Sequence, residues 1–144
     1  MPDSRGMRAL VQRVSKAAVR VGDQPVAEIG AGLLVLLGIT HEDDEQAAER
    51  LAAKVSALRI FPDAKGQMDE ALGPRAILCV SQFTLYGDTR RGNRPSFMAA
   101  ARPERAEPLY EIFCERCGAL RGVFGAHMAV ELVNDGPVTL LLES

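Results

Sequence analysis

Over much of residues 8–21 apolar and polar positions alternate, with Leu10, Gln12 and Val14 set against Val11 and Arg13, and Gly22-Asp23-Gln24-Pro25 follows. A period of two closed by turn residues predicts a strand and then a turn. Residues 26–29 form a second short strand, and Gly30-Ala31-Gly32 a second turn. Residues 33–39 are a charge-free run rich in Leu, Val and Ile, which suits a central strand buried on both faces. The Gly30-x-Gly32 pair precedes a strand instead of joining one to a helix, so it is no dinucleotide loop. From 42 to 58 the period becomes helical: Ala47, Leu51, Val55 and Leu58 share one face, acids occupy the first turn, and Lys54 and Arg59 stand near the end.

Residues 61–66 read as a loop and 68–73 as irregular chain. Strand periodicity returns over 76–85, with Val80, Gln82 and Thr84 on one face and Cys79, Ser81 and Phe83 on the other. Residues 87–94 make a polar, arginine-rich loop of the kind that binds ligands. After Pro103 a second amphipathic helix carries Leu109, Tyr110, Phe113, Cys117 and Leu120, its regular part beginning near Pro108. Residues 123–133 and 138–142 are predicted as two terminal strands joined by a turn at Asn134-Asp135-Gly136-Pro137. The fold class that follows is α/β: a single domain with a mixed, curved β-sheet and two main helices.

Composition narrows the setting. A chain of 144 residues, 47% hydrophobic and 25% charged, is one ordinary globular domain. No apolar run is long enough for a signal peptide or a membrane span, so a cytoplasmic protein with no membrane partner is expected. Cys79, Cys114 and Cys117 form no disulfide framework, and Cys114-x-x-Cys117 lies in a helical segment and not at a helix start after a strand. Net charge is −2, yet residues 5–20 hold five basic side chains and no acid, and Arg90, Arg91, Arg94, Arg102 and Arg105 cluster against Asp88 and Glu104. Such stretches suit contact with phosphates, and equally suit solvated faces.

The chain has neither His-Glu-x-x-His nor a pair of Cys-x-x-Cys motifs, and only two histidines, so neither a metal nor another cofactor is expected. His41 falls at a helix entrance and His127 in a predicted strand, neither with an orienting partner nearby in sequence. Thr84 stands where a buried strand meets a polar loop, but a threonine nucleophile needs a base and none lies near it in sequence. Positioning suits it better than attack. Ser81, Gln82, Phe83 and Thr84 place hydroxyl, amide and backbone N–H groups where a developing negative charge could be held. Gly136-Pro137 is the dipeptide type at which a cis bond costs little.

Ser81-Gln82-Phe83-Thr84-Leu85 and Asn134-Asp135-Gly136-Pro137-Val138-Thr139 together resemble the two signatures of the D-aminoacyl-tRNA deacylase family. The likeness extends to Met7-Arg8-Ala9-Leu10-Val11-Gln12-Arg13-Val14, to Tyr86-Gly87-Asp88-Thr89-Arg90-Arg91-Gly92 and to Arg94-Pro95-Ser96-Phe97, and so runs over residues 7–144. Residues 1–6 precede the family's usual start and read as either a disordered extension or a misplaced initiation. The resemblance implies a homodimer in which Gly136 and Pro137, joined by a cis bond, enter the partner's pocket as a rigid chiral filter. It implies that Ser81, Gln82, Phe83 and Thr84 form the catalytic pocket, lined also by Val138, Thr139 and Met128, and that Arg90, Arg91 and Arg94 contact tRNA. The reaction implied is hydrolysis of the ester joining a D-amino acid to the 3′ end of tRNA, with glycyl-tRNA as a further substrate, and with a terminal ribose 2′-hydroxyl assisting in place of a protein base. The chain departs from the family's usual pattern at His127, where aspartate is commoner, and at Asp69, where asparagine is frequent. Two other classes remain open on the residues alone: a threonine-nucleophile esterase built on Thr84, and a non-enzymatic RNA-binding dimer.

Overall fold

The computed structural model describes residues 6–144, and the expected N-terminal extension lies, apart from Gly6, outside them. In chain order the elements are β1 (Arg8–Val21), β2 (Gln24–Ile29), β3 (Gly32–Gly38), α1 (Glu45–Ala57), β4 (Phe61–Pro62), β5 (Met68–Glu70), β6 (Ala76–Ser81), a 3-10 turn (Phe83–Tyr86), α2 (Pro103–Cys117), β7 (Leu120–Arg121) and β8 (Ala129–Glu143). The sheet is mixed: β1 is antiparallel to β2, β3 and β8, while β3–β6 and β6–β7 are parallel.

Strand β1 sets the curvature. Its first half pairs with β3, its second half with β2, and β8 follows its other edge from Arg8 to Arg20 with two shifts of register. Such shifts bend and twist a strand. The sheet curls until β2 approaches β6 and β7, so that it is nearly closed. One face carries a core of Val14, Ala17, Val19, Ile29, Leu34, Leu78 and Val80, packed by Met128, Val130 and Leu132. On the other face Ala9, Val11, Leu33, Val35, Leu37 and Cys79 meet α1 and α2. Strand β3 serves both cores, which is why its sequence is apolar without alternation.

Helix α1 starts three residues later than the sequence predicts, because Asp44 caps it by accepting a 2.9 Å hydrogen bond from the Ala47 N–H. Its buried stripe is Ala47, Ala48, Leu51, Ala52 and Val55. Helix α2 starts earlier, with Pro103 in its first turn, where a missing N–H costs nothing. Pro108 is tolerated inside it because the buried side chains Ala106, Leu109, Tyr110, Phe113 and Cys114 hold both halves against the core. Gly118, at φ 66°, ends the helix, so Leu120 lies in β7 and not on the helical face. The stretch expected to be irregular contains a small antiparallel pair, β4 with β5.

Two further expectations are corrected. Residues 123–128 are a connector, not strand, and His127 sits there. The predicted hairpin at the C-terminus is one strand, β8, both halves of which run along β1. Asn134 faces Val14 and Thr139 faces Gln12, so residues 135–138 bulge out opposite Arg13 alone. Proline has no N–H for the ladder, and leaving the ladder locally costs less than reversing a strand that has a long partner waiting.

Candidate active site

Strand β6 does not continue to Leu85. Its last ladder contact is the Gln82 N–H donating to the Leu37 carbonyl (2.7 Å), after which the chain tightens into the 3-10 turn. Tyr86 forces this: its ring is buried against the end of β3, and its hydroxyl donates to the carbonyls of Gly38 (3.2 Å) and Gly6 (2.5 Å). Gly38 makes the approach possible, since a Cβ there would stand 2.8 Å from the Tyr86 ring and 3.2 Å from the Gln82 carbonyl. The alternation expected through Thr84 is thereby broken, and Phe83 and Thr84 both turn to solvent. Their N–H groups open the turn, where a 3-10 segment has no internal acceptors for them. The Thr84 hydroxyl receives a hydrogen bond from the Gln82 amide nitrogen.

Ser81, Gln82 and Phe83 line a cavity of about 510 Å³. Its other walls come from Ile39 and Val80 on the sheet, from the 97–106 segment, and from the β7–β8 connector through Phe124, His127 and Met128. Phe83, 55% exposed, stands edge-on to Phe97 with ring centroids 5.1 Å apart. Neither Phe97 nor Phe124 is among the site residues expected from the sequence. Phe97 lies in a stretch without periodicity, and only the fold brings it over the strand end. His127 lines the cavity with no hydrogen-bond partner among the described residues.

The second predicted group lies elsewhere. Gly136, Pro137, Val138 and Thr139 do not line this cavity of their own chain. The Gly136–Pro137 bond is cis, and Gly136 has φ 142°, a conformation that side chains rarely adopt. Asn134 closes the bulge, accepting from the Val138 N–H (2.8 Å) and donating to the Thr139 hydroxyl (2.9 Å). Arg13 braces it, donating to the carbonyls of Asp135 (2.9 Å) and Ile60 (2.6 Å). The fold therefore joins Met128 to the first signature and holds the second apart.

Arg90, Arg91 and Arg94 line a separate cavity of about 690 Å³ together with Arg8, Tyr86, Asp88 and Met98. Arg90 is paired with Asp88 (2.7 Å), and its hydrogen bonds, with the charge of Arg91 adding to them, hold the Asp88 carboxyl down at about 2. Among the described residues no set of three or more His, Cys, Asp or Glu is placed to hold a metal ion. Among the described residues no helix is long and apolar enough to cross a membrane.

A family model described as D-Tyr-tRNA(Tyr) deacylase matches residues 10–143. The chain belongs to that family. It is 57% identical over 145 residues to a D-aminoacyl-tRNA deacylase of Symbiobacterium thermophilum, with 96% of each chain covered. A D-aminoacyl-tRNA deacylase of Thermus aquaticus is 54% identical over 148 residues, covering 96% of this chain and 95% of the relative. Among solved structures, one titled c-Myc DNA Unwinding Element Binding Protein superposes with a TM-score of 0.89 at 41% identity, over 95% of this chain and 98% of that one. A probable eukaryotic D-amino acid tRNA deacylase shares the fold, with a TM-score of 0.84 at 17% identity over 96% and 99%. Membership in the deacylase family makes the chain an enzyme of the hydrolase class.

For this deacylase-family chain the thiols read as structural. Cys79, Cys114 and Cys117 are free, and Cys114 and Cys117 lie at the end of α2 and not at its start. Burial pushes the Cys79 thiol well up and Cys117 to about 11, whereas the hydrogen bond from Cys79 lowers Cys114. Cys79 and Cys114 are fully buried in the helix-side core.

Proposed function

We propose that this enzyme hydrolyses the ester between a D-amino acid and the 3′-terminal adenosine of tRNA, and that glycyl-tRNA is a second substrate. The observation that carries the reading is the family match over residues 10–143, with the signature residues Ser81, Gln82 and Phe83 in the wall of a cavity. The Phe83 and Thr84 N–H groups stabilise the tetrahedral oxyanion, and the cavity holds the ester and a water in place. Thr84 is a positioning group: its hydroxyl already accepts from Gln82, and among the described residues no His or Lys is hydrogen-bonded to it. The substrate's 2′-hydroxyl supplies the assistance that no side chain next to Thr84 provides.

Chiral selection belongs to the Gly136–Pro137 bulge of a second copy. Two features support insertion between copies: the bulge is exposed, and it is absent from the walls of its own chain's cavity. A backbone wall rejects an L side chain by collision and accepts any D side chain pointing away, so selectivity is broad among D-amino acids. Glycine, with nothing to collide, passes. Val138 and Thr139 carry the wall, and Met128 lines the pocket it enters. The enzyme works in the cytoplasm, where aminoacyl-tRNA is found.

The test is the decay of matched D-tyrosyl-tRNA and L-tyrosyl-tRNA with purified protein after chelator treatment. Loss of the D ester at least roughly a hundredfold faster, about 2.7 kcal/mol of discrimination, is the expected result. Equal loss of both would replace this reading with an unselective esterase, which Thr84→Ala would then abolish. Loss of neither would leave an RNA-binding dimer.

A further inference from the structure

The catalytic cavity and the arginine cavity are neighbours, separated by a single turn. The Ala100 N–H donates to the Phe97 carbonyl (3.0 Å) and closes a turn over residues 97–100. Its two ends, Phe97 and Ala100, line the catalytic cavity, and its two central residues, Met98 and Ala99, line the arginine cavity. A turn of this kind spans under about 7 Å from end to end, so the wall is narrow.

The wall is also fixed. Thr40 bridges Ala100 and donates its hydroxyl to the Ala99 carbonyl (2.5 Å), the Ala101 N–H donates to Ile39 (2.9 Å), and a ring nitrogen of His41 lies 2.6 Å from the Met98 carbonyl oxygen. On its other side Asp88 and Ser96 exchange two backbone hydrogen bonds, of 2.8 and 2.9 Å, and pin the base of the arginine loop. On this frame Arg91 and Arg94 are exposed and take part in no ion pair or hydrogen bond among the described residues. Asp88, the one acid among the described residues of the lining, is already neutralised by Arg90. Two guanidinium groups whose N–H donors are unused among the described residues, in a concave, fixed site, are suited to phosphate oxygens. Met98, 85% exposed on top of the wall, offers an apolar surface to a base passing over it.

We infer that the arginine cavity holds the phosphodiesters of the single-stranded 3′ tail of the substrate, so that the tail crosses the Phe97–Ala100 turn one nucleotide before the esterified adenosine. The inference rests on the deacylase reading above and adds the substrate's reach: the enzyme reads the unpaired tail, through Arg91 and Arg94, and not the duplex behind it. Backbone contacts of this kind add affinity without base specificity.

The experiment is a length series of D-tyrosyl esters, carried on adenosine, on the dinucleotide CpA, on the trinucleotide CpCpA and on whole tRNA. With the native enzyme kcat/KM is expected to rise roughly tenfold or more from adenosine to CpCpA and then level off. Over the same range the dependence on salt should reach a log–log slope of about −1.4 for two phosphates. In the Arg91→Gln, Arg94→Gln double variant the ratio of the CpCpA to the adenosine ester should collapse to under roughly twofold, and the slope should flatten. A flat series in the native enzyme, a rise only on reaching whole tRNA, or a ratio unchanged in the double variant would each overturn the inference while leaving the deacylase reading standing. Hydrolysis of none of the esters, whole tRNA included, would instead remove the deacylase reading.

Discussion

Gly38 is the residue on which the shape of the catalytic turn depends. The Tyr86 ring lies where a Cβ would be, and that ring cannot move aside, because it is buried and its hydroxyl is bound to two carbonyls. Gly38→Ala should therefore destabilise the protein by about 1–3 kcal/mol, the usual cost of overfilling a packed site. It should also lower kcat more than a change of the same stability cost in the helix-side core, because the displaced atoms carry Phe83 and Thr84. Urea unfolding and single-turnover hydrolysis, compared with a core variant of matched stability, check both parts. Gly136 is constrained differently. There the backbone itself, at φ 142°, rejects a side chain, and a Cβ would stand 2.8 Å from a Val138 methyl group, so Gly136→Ala alters the bulge before it alters any selection.

At the scale of elements, the caps and breaks were partly legible. The apolar stripe of α1 could be read from Ala47, Leu51 and Val55, but its start depends on the Asp44 carboxylate, one of several acids in that stretch able to cap. Asp44→Ala should cost about 1 kcal/mol, within the range for lost N-caps, and thermal melting measures it. Glu42→Ala, two residues earlier, should cost little. Strand β6 and the 3-10 turn illustrate the opposite case. The pattern through Thr84 is a good strand pattern, and nothing local says that it stops at Ser81. The stop comes from Tyr86 folding back on β3, a contact with a segment some fifty residues earlier in the chain. Likewise Asn134-Asp135-Gly136-Pro137 has the composition of a turn, and becomes a bulge only because β1 is long enough to pair on both sides of it.

At the scale of the whole molecule, β8 is paired on one side only among the described residues, and it exposes Val133, Leu140 and Leu141 along 15 residues. A long, apolar, unpaired edge is a surface that proteins cover. The second copy required by the proposed filter would cover it. Sedimentation equilibrium at micromolar concentration is expected to give twice the chain mass of 15.5 kDa. Leu141→Glu should shift the protein towards the monomer and lower D-tyrosyl-tRNA hydrolysis in proportion, since each cavity would lose its partner's bulge. A native protein that stays monomeric would remove insertion between copies.

Legible in the sequence were strands β1, β2 and β3, the apolar stripe of α1, the α/β class, the lack of an apolar run of membrane length, and, through two short signatures, the family. These follow from periodicity and residue chemistry, which act over a few neighbouring positions. Tertiary structure alone decided that Phe97, Phe124 and His127 share a cavity with Ser81, Gln82 and Phe83, and that Gly136 and Pro137 stand outside it. It also decided that one turn divides that cavity from the arginine loop. Each of these depends on contacts between segments far apart in the chain. Such contacts are selected by the closing of the curved sheet and the burial of two cores together, and they leave no period in the sequence to be read.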